Sequence, residues 1–540
     1  MTKEKKIFCC ISVLTILLIL SGCMDKNAEI KPSKEEFVQI GNPVSGGELI
    51  IPVIQFDTLN PILNDNKSVY YLNKLIYDGL ITLDEKLETQ PALAQTWDVS
   101  EDGKEWTFDL RNDIRWHDGK AFTAEDVKFT IEALRMNVGR KESVYSVYVK
   151  DINNVQMINA YRITIGFKTP INNAIELFTF PIIPKHKFLS SQDVYNKIDL
   201  VPIGTGPYKI DTYDKFKSIK FTLNDDYWGD KPYITSILAK RIPDKEAVLT
   251  SVETSEIDVA EATNFDWEKY SEDKSLKIYE YITQDYEFLG FNFRNKILQD
   301  KNVRSALGYS IDRHAIVDEV YLGHATVVDV PIHPDAYLYD ENEKKMGKDL
   351  LKAKKLLKES NWENRDTDPW LENESGQELR LSLLVNGDNL QRIEGAQMIA
   401  SQLKEIGIDI VINKVNWEEY QKRIGAKQFD IVLSGWRLPY SSNIRFALHS
   451  SYVGNTNFIS YSNPEMDRLL DEALNDKNKS LRKEKYKQLQ NFIVEEVPYF
   501  SLYFKNSSII MKKRVKGDIM PRPFNIYGNI EKWYLLEESK

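Results

Sequence analysis

Between residues 379 and 433 the chain switches repeatedly between two periodicities, and that switching restricts the fold more than any other stretch. Residues 379–385 form a short apolar run that reads as a strand. Residues 391–406 space their apolar positions at helical intervals, and Gly407 then stands at the C′ position, where glycine closes a helix. Ile408, Ile410 and Ile412 alternate as a second strand, 417–424 reads as a second helix, and 429–434 as a third, buried strand. Strand, helix, strand, helix, strand predicts parallel pairing with right-handed crossovers. Sheets of this kind collect ligands beyond the carboxyl ends of their strands. Asn386, Gly387 and Asp388 follow the first strand, and Gly435 and Trp436 follow the third, so both groups are expected at one sheet edge.

One such sheet does not absorb 540 residues, so at least two lobes are expected. Strand 48–54 opens the folded body, and 69–80 carries apolar residues at helical spacing. A hairpin follows, 96–100 and 106–110 around Glu101-Asp102-Gly103-Lys104. Thr123 and Asp126 then make a capping box for the next helix. Two glycines and a proline in 203–210 require a turn of demanding backbone geometry. Short strands are expected near 221–223, 234–239 and 256–259. A first crossing to the second lobe is expected at 281–285, helices at 463–474 and 481–496, and a return strand at 498–510.

The amino terminus has a separate job. Lys3, Lys5 and Lys6 precede an apolar run over 7–20, followed by small residues before Cys23. That is the layout of an export signal, and the run is shorter than the roughly 20 residues a spanning helix needs. Leu20-Ser21-Gly22-Cys23 resembles the bacterial lipobox, which implies cleavage before Cys23 and a diacylglycerol thioether on its sulfur. Two acyl chains would hold the domain at a membrane surface. The polar stretch 24–45 reads as a tether of about 20 residues, spanning about 25 Å as a coil. Cys9, Cys10 and Cys23 are the only cysteines, so thiolate metal sites and cysteine nucleophiles are excluded from the body of the mature chain. Three Lys and one Glu precede Cys23, so removing that segment takes the formal charge from −10 to −12. Such a balance disfavours a general nucleic-acid binder.

No enzyme constellation is evident. Histidine occurs at 117, 186, 314, 324, 333 and 449, with no zinc-helix pair. There is no Gly-x-Ser-x-Gly elbow and no phosphate loop. The Ser-x-x-Lys matches at 271–274 and 480–483 lie in charged segments and read as surface. The Asp366-Thr367-Asp368 loop lacks the glycine and terminal glutamate of a calcium loop and reads as a polar hairpin.

Several stretches together resemble the large solute-binding proteins of ABC importers for peptides and, in some members, nickel (family 5). They are LNP at 59–61, LIYDGL at 75–80, the long segment 91–134 with its fixed tryptophans and glycines, GTGPYKI at 204–210, VRSALGYSIDR at 303–313 and EEVPYFSLY at 495–503. The resemblance implies an α/β, two-lobed fold of the type II periplasmic-binding-protein class, with an extra subdomain on lobe one. The expected divisions are a signal peptide over 1–22, tether 23–45, lobe one 46–282, lobe two 283–500 and a return to lobe one over 501–540. It further implies a monomer, lipid-anchored on the extracytoplasmic face of a bacterial cell membrane. That protein would capture peptide in an interlobe cleft and deliver it to a permease and ATPase, with no cofactor, no resident metal and no catalysis. Two alternatives stay open: a surface peptidase using the same cleft, and a binder of a non-peptide solute such as a nickel complex.

The candidate ligand-binding residues follow from this frame. Trp436 is expected to line the cleft. Asn292, after the strand-like 286–291, is placed to pair with ligand backbone. Asn386 and Asp388 lie beyond the 379–385 strand, and Asp57 and Tyr70 lie near the first strand of lobe one. Residues 116–119 (Trp-His-Asp-Gly) read as a structural turn. One position departs from the family. Peptide-binding relatives often carry an Asp three residues beyond this Trp, pairing with the ligand α-ammonium, and here Pro439 stands there. A buried ammonium without a carboxylate is costly. Either another acid substitutes, with Asp57 and Asp388 as candidates, or the ligand lacks a free amino terminus.

Overall fold

Two long antiparallel strands, Leu276–Phe291 and Tyr499–Lys512, run side by side and set the plan of the molecule. The computed structural model describes residues 43–136, 143–170, 174–262, 267–342 and 344–536. The predicted export signal and Cys23, with nearly all of the tether, lie outside them. Pairing of the two strands is continuous from Leu276 to Ile282, breaks, and resumes at Tyr286 with a shifted register. The break falls inside 281–285, where the crossing was expected, and an irregularity of this kind bends a strand. Before it, Tyr499–Lys512 takes Val259–Ala262 as its outer neighbour; beyond it, Leu276–Phe291 takes Ile431–Arg437.

The α/β passage completes this seven-stranded sheet. Arg380–Asn386 lies between Asp409–Val415 and Ile431–Arg437 and is parallel to both. The first crossover therefore runs outward and the second returns across the starting strand. The reversal makes a topological switch point between Arg380–Asn386 and Ile431–Arg437. Helix Leu390–Lys404 ends as the glycine predicts: Ile408 N–H donates to Leu403 O and Gly407 N–H to Lys404 O, with Gly407 at φ +85°. One expectation is corrected. The third strand does not stop at Ser434, because its long antiparallel neighbour continues to pair with it. Gly435 faces Glu287, Trp436 faces Tyr286 and Arg437 faces Asp285, so Trp436 lies within the sheet.

A second sheet pairs Glu48–Ile54 in parallel with Ser236–Ile242, followed by antiparallel Ser218–Leu223 and Tyr208–Asp214. Alternate residues Leu49, Ile51 and Val53 are buried, the pattern a strand covered on one face requires. Helix Lys67–Ile76 follows, its first amides capped by Asn66 Oδ1. The glycines of 204–210 are needed for close approach and not for a left-handed backbone. A Cβ on Gly204 would sit 1.7 Å from Ile76 O, and neither Gly204 nor Gly206 has positive φ.

The inserted subdomain is the antiparallel sheet of Ala94–Val99, Glu105–Leu110, Arg162–Phe167 and Ile152–Asn159, with helix Ala124–Arg135. The Thr123–Asp126 capping box is present. Asp126 Oδ2 also accepts the buried Trp116 Nε1–H at 3.3 Å, and Oδ1 accepts the Lys185 N–H at 2.9 Å. His117 Nδ1 accepts the Gly204 N–H at 3.2 Å, which leaves Nε2–H to donate to Gly206 O at 3.0 Å. His117 thus holds the glycine loop, and Trp116 is tied to the capping Asp126, structural parts for this turn.

Candidate functional site: a charged switch point and a tyrosine-lined cavity

The switch point is occupied by the protein's own charges. Glu287, only 3% exposed, receives Arg392 Nε at 2.9 Å and Nη2 at 3.0 Å, and Lys505 Nζ at 3.0 Å. Glu287 and Lys505 come from the two crossing strands, and Arg392 from the helix that leaves the switch point. Burial alone would lower the Arg392 guanidinium and the Lys505 amine, but Glu287 outweighs it and holds both above their ordinary values. The pair also explains the glycine before Trp436. A Cβ on Gly435 would meet Arg392 Nη2 at 2.8 Å and Glu287 Oε1 at 2.9 Å.

Around this cluster the residues expected at the sheet edge take separate places. Trp436 is half-buried among phenylalanines: Phe446 edge-on at 5.1 Å, Phe458 at 5.5 Å and Phe288 stacked at 6.5 Å. Its Nε1–H is buried, with the Tyr499 hydroxyl as its neighbour, though no well-formed hydrogen bond joins them. Asn292 is buried, and its amide is committed: Nδ2 donates to Phe429 O and Lys427 O, and Oδ1 accepts the Arg294 N–H. Both amide hydrogens are therefore used within the protein. Asn386 Oδ1 accepts the Asp388 N–H, and the exposed Asp388 accepts the Trp417 N–H at 2.7 Å, bracing the start of helix Trp417–Ala426. Asp57 is exposed on a different cavity of about 840 Å³, beside Gln55, Asn64 and Asp65.

Tyr70 lines a cavity of about 610 Å³, and the chain brings distant segments to it. Helix Lys67–Ile76 and the residues just after it supply Tyr70, Lys74, Tyr77 and Asp78; the inserted subdomain supplies Tyr145 and Tyr148. Tyr440, just past the position of the missing Asp, closes one side and packs edge-on against Phe524 at 5.2 Å. Arg522, Phe524 and Tyr527 come from the carboxy-terminal segment. Burial pushes the Tyr145 and Tyr440 hydroxyls well above their ordinary range, so they enter as neutral hydrogen-bonding groups. Burial likewise raises Asp78, while the Trp228 indole N–H at 3.0 Å and the Thr205 hydroxyl at 2.8 Å pull against it.

Of the six candidates, then, Tyr70 lies on this cavity, Asp57 lies on another, and Trp436, Asn292, Asn386 and Asp388 line neither. Sequence reading passed over Lys74, Tyr77 and Asp78. Two of these stand inside LIYDGL, a segment read for its helical spacing and its resemblance and not for a site. Its clustered polar and aromatic residues beside Tyr70 and Tyr71 were the available signal.

Two α/β lobes joined by paired crossing strands, with a polar-aromatic cavity where distant segments meet, define a type II solute-binding protein. The chain belongs to the bacterial extracellular solute-binding proteins of family 5, whose middle-region model matches residues 88–458. It is 28% identical over 554 residues to the oligopeptide-binding protein AppA of Bacillus subtilis (strain 168), covering 99% of this chain and 100% of AppA. It is 27% identical over 489 residues to the dipeptide-binding protein of Escherichia coli (strain K12), covering 84% and 88%. Its fold matches the structure of the same B. subtilis AppA in complex with a nonapeptide, with a TM-score of 0.63 and 27% identity over 92% of this chain and 100% of that one. It also matches NikZ from Campylobacter jejuni in complex with Ni(L-His), with a TM-score of 0.64 and 26% identity over 90% and 99%.

Proposed function

We propose that this chain is the lipid-anchored capture component of an ABC importer and that it takes short peptides into the cavity between Tyr70 and Tyr440. The observation that carries this reading is the cavity itself, whose walls come from helix Lys67–Ile76, the inserted subdomain, the carboxy-terminal segment and Tyr440. Tyrosines suit such a task, offering large contact area at low entropic cost and a hydroxyl that serves varied backbones. In this reading residues 46–282 and 501–540 form one lobe and 283–500 the other. The register break between Ile282 and Tyr286 is the place about which they close. Cys23 carries the lipid, the tether spans to the membrane, and ligand passes to a permease and ATPase with no bond made or broken. The likeness to AppA bound to a nonapeptide supports peptide as the cargo.

The test is mass spectrometry of ligand released from the purified full mature protein, with short peptides expected. Failure to bind any member of a diverse peptide library, in free or blocked form, sinks the proposal. A nickel complex is the second reading, favoured by the likeness to NikZ with Ni(L-His). Stoichiometric nickel in the released fraction, with no peptide, would establish it instead.

A further inference from the structure

Three donors on the tyrosine-lined cavity have no acceptor among the described residues. Lys74 Nζ lies over the Tyr70 ring at 5.3 Å and is attracted by the Asp78 carboxylate, but it makes no hydrogen bond with a described residue. Tyr77 is 3% exposed, and its hydroxyl proton finds no acceptor among the described residues. Arg522 donates through Nη2 to Asn529 Oδ1 at 3.2 Å, while its Nε–H is buried and unmet. Each vacancy is a donor.

Five acids share the cavity, and two of them are already used. Asp78 is bonded by Thr205 and Trp228. Asp84 Oδ1 takes the Lys86 and Glu88 amides and Oδ2 the Gln90 side chain. Burial raises the Glu531 carboxyl towards its neutral form, and the remaining lining acids, Glu85 and Asp230, are exposed at the rim. A buried donor without a partner costs free energy until something accepts from it, and a cation asks for an anion. Lys74 lies in the last turn of its helix and Tyr77 is the extended residue that caps it, and both line the cavity.

We propose that Lys74 and Tyr77, with Arg522 on the same cavity, form a carboxylate-binding subsite, so that the ligand is anchored by its carboxylate where relatives hold an ammonium. This rests on the peptide reading above and deepens it. The subsite accounts for Pro439 without a substitute acid, because the amino terminus need not be buried. The carboxylate is either the peptide's terminal group or an acidic side chain.

The experiment is native mass spectrometry of the full mature protein against three tetrapeptide libraries. The first has free carboxyl termini and no Asp or Glu, the second is the same library amidated, and the third is amidated with Glu at one varied position. Wild type is expected to retain the first over the second by about tenfold or more if the terminus is the anchor. It retains the third over the second if the side chain is. Lys74→Met should erase that preference, and Lys74→Arg should keep part of it. Equal retention of all three by wild type overturns the subsite and leaves the peptide reading standing, as does a preference that survives Lys74→Met. Retention of none overturns both.

Discussion

Replacing Glu287 by Gln tests the charged switch point directly. The substitution keeps the shape of the side chain and removes its charge, leaving Arg392 and Lys505 facing a neutral amide. The geometry sets the magnitude. Glu287 is 3% exposed, Arg392 is 11% exposed and bound through two nitrogens at 2.9 and 3.0 Å, and Lys505 approaches at 3.0 Å. Breaking a buried pair of this kind costs about 3–5 kcal/mol, since the charge left behind is uncompensated. Two cations are stranded here, so the upper half of that range is expected. The assay is urea denaturation followed by tryptophan fluorescence, comparing wild type, Glu287→Gln, Lys505→Met and the double variant. The double variant should recover about 1 kcal/mol or more relative to Glu287→Gln, because one stranded cation is gone. A loss below about 0.5 kcal/mol for Glu287→Gln, the range of ordinary surface substitutions, would refute the argument that this carboxylate is the buried counter-ion of both cations.

Two further outcomes are expected. Trp436→Ala should cost about 3 kcal/mol in the same denaturation assay, because the indole packs on Phe288, Phe446 and Phe458; an unchanged midpoint with weakened peptide binding would instead place the ring in the cleft. Burial holds His117 down to about 4 from an ordinary 6.5, so the unfolded chain binds the extra proton first as pH falls. Stability should therefore be untouched above pH 6.5 and fall by about 3 kcal/mol on the way to pH 4. His117→Gln should lose that much less over the same interval, and parallel pH profiles for the two proteins would contradict the assignment.

The parts of the fold that could be read in advance are those governed by local rules. Gly407 closes its helix because a left-handed residue is needed one position past the cap. Thr123 and Asp126 cap because they are three apart. The 379–433 passage forms parallel strands because its periodicities alternate. The extent of Ile431–Arg437 escaped for the opposite reason: what lengthens it through Trp436 is pairing with Tyr286, 150 positions away in the chain. Gly204 misled in kind. Its sequence context suggests an unusual φ, whereas the constraint is the Ile76 carbonyl 128 positions earlier, which no local pattern records.

The site escaped for the same reason, and its arrangement sharpens the question that Pro439 raised. A missing carboxylate has two remedies, a substitute acid or a different anchor, and sequence alone weighs neither. Three-dimensional proximity does. Asp388 is bound to the start of helix Trp417–Ala426 and Asp57 lies on another cavity, so neither is placed beside Tyr440. The residues that share Tyr440's cavity include a lysine whose amine burial pulls down to about 8 against the opposing pull of Asp78, and an arginine with an unmet Nε–H. An anion beside Lys74 would raise that amine again, so a carboxylate ligand and the charged form of Lys74 stabilise each other. The same linkage makes binding of a carboxylate weaken as pH rises through 8. The unmet donors of Lys74 and Arg522 thus carry the second remedy against the acids that share the cavity, and loss of binding of an amino-blocked peptide as pH rises through 8 tests it.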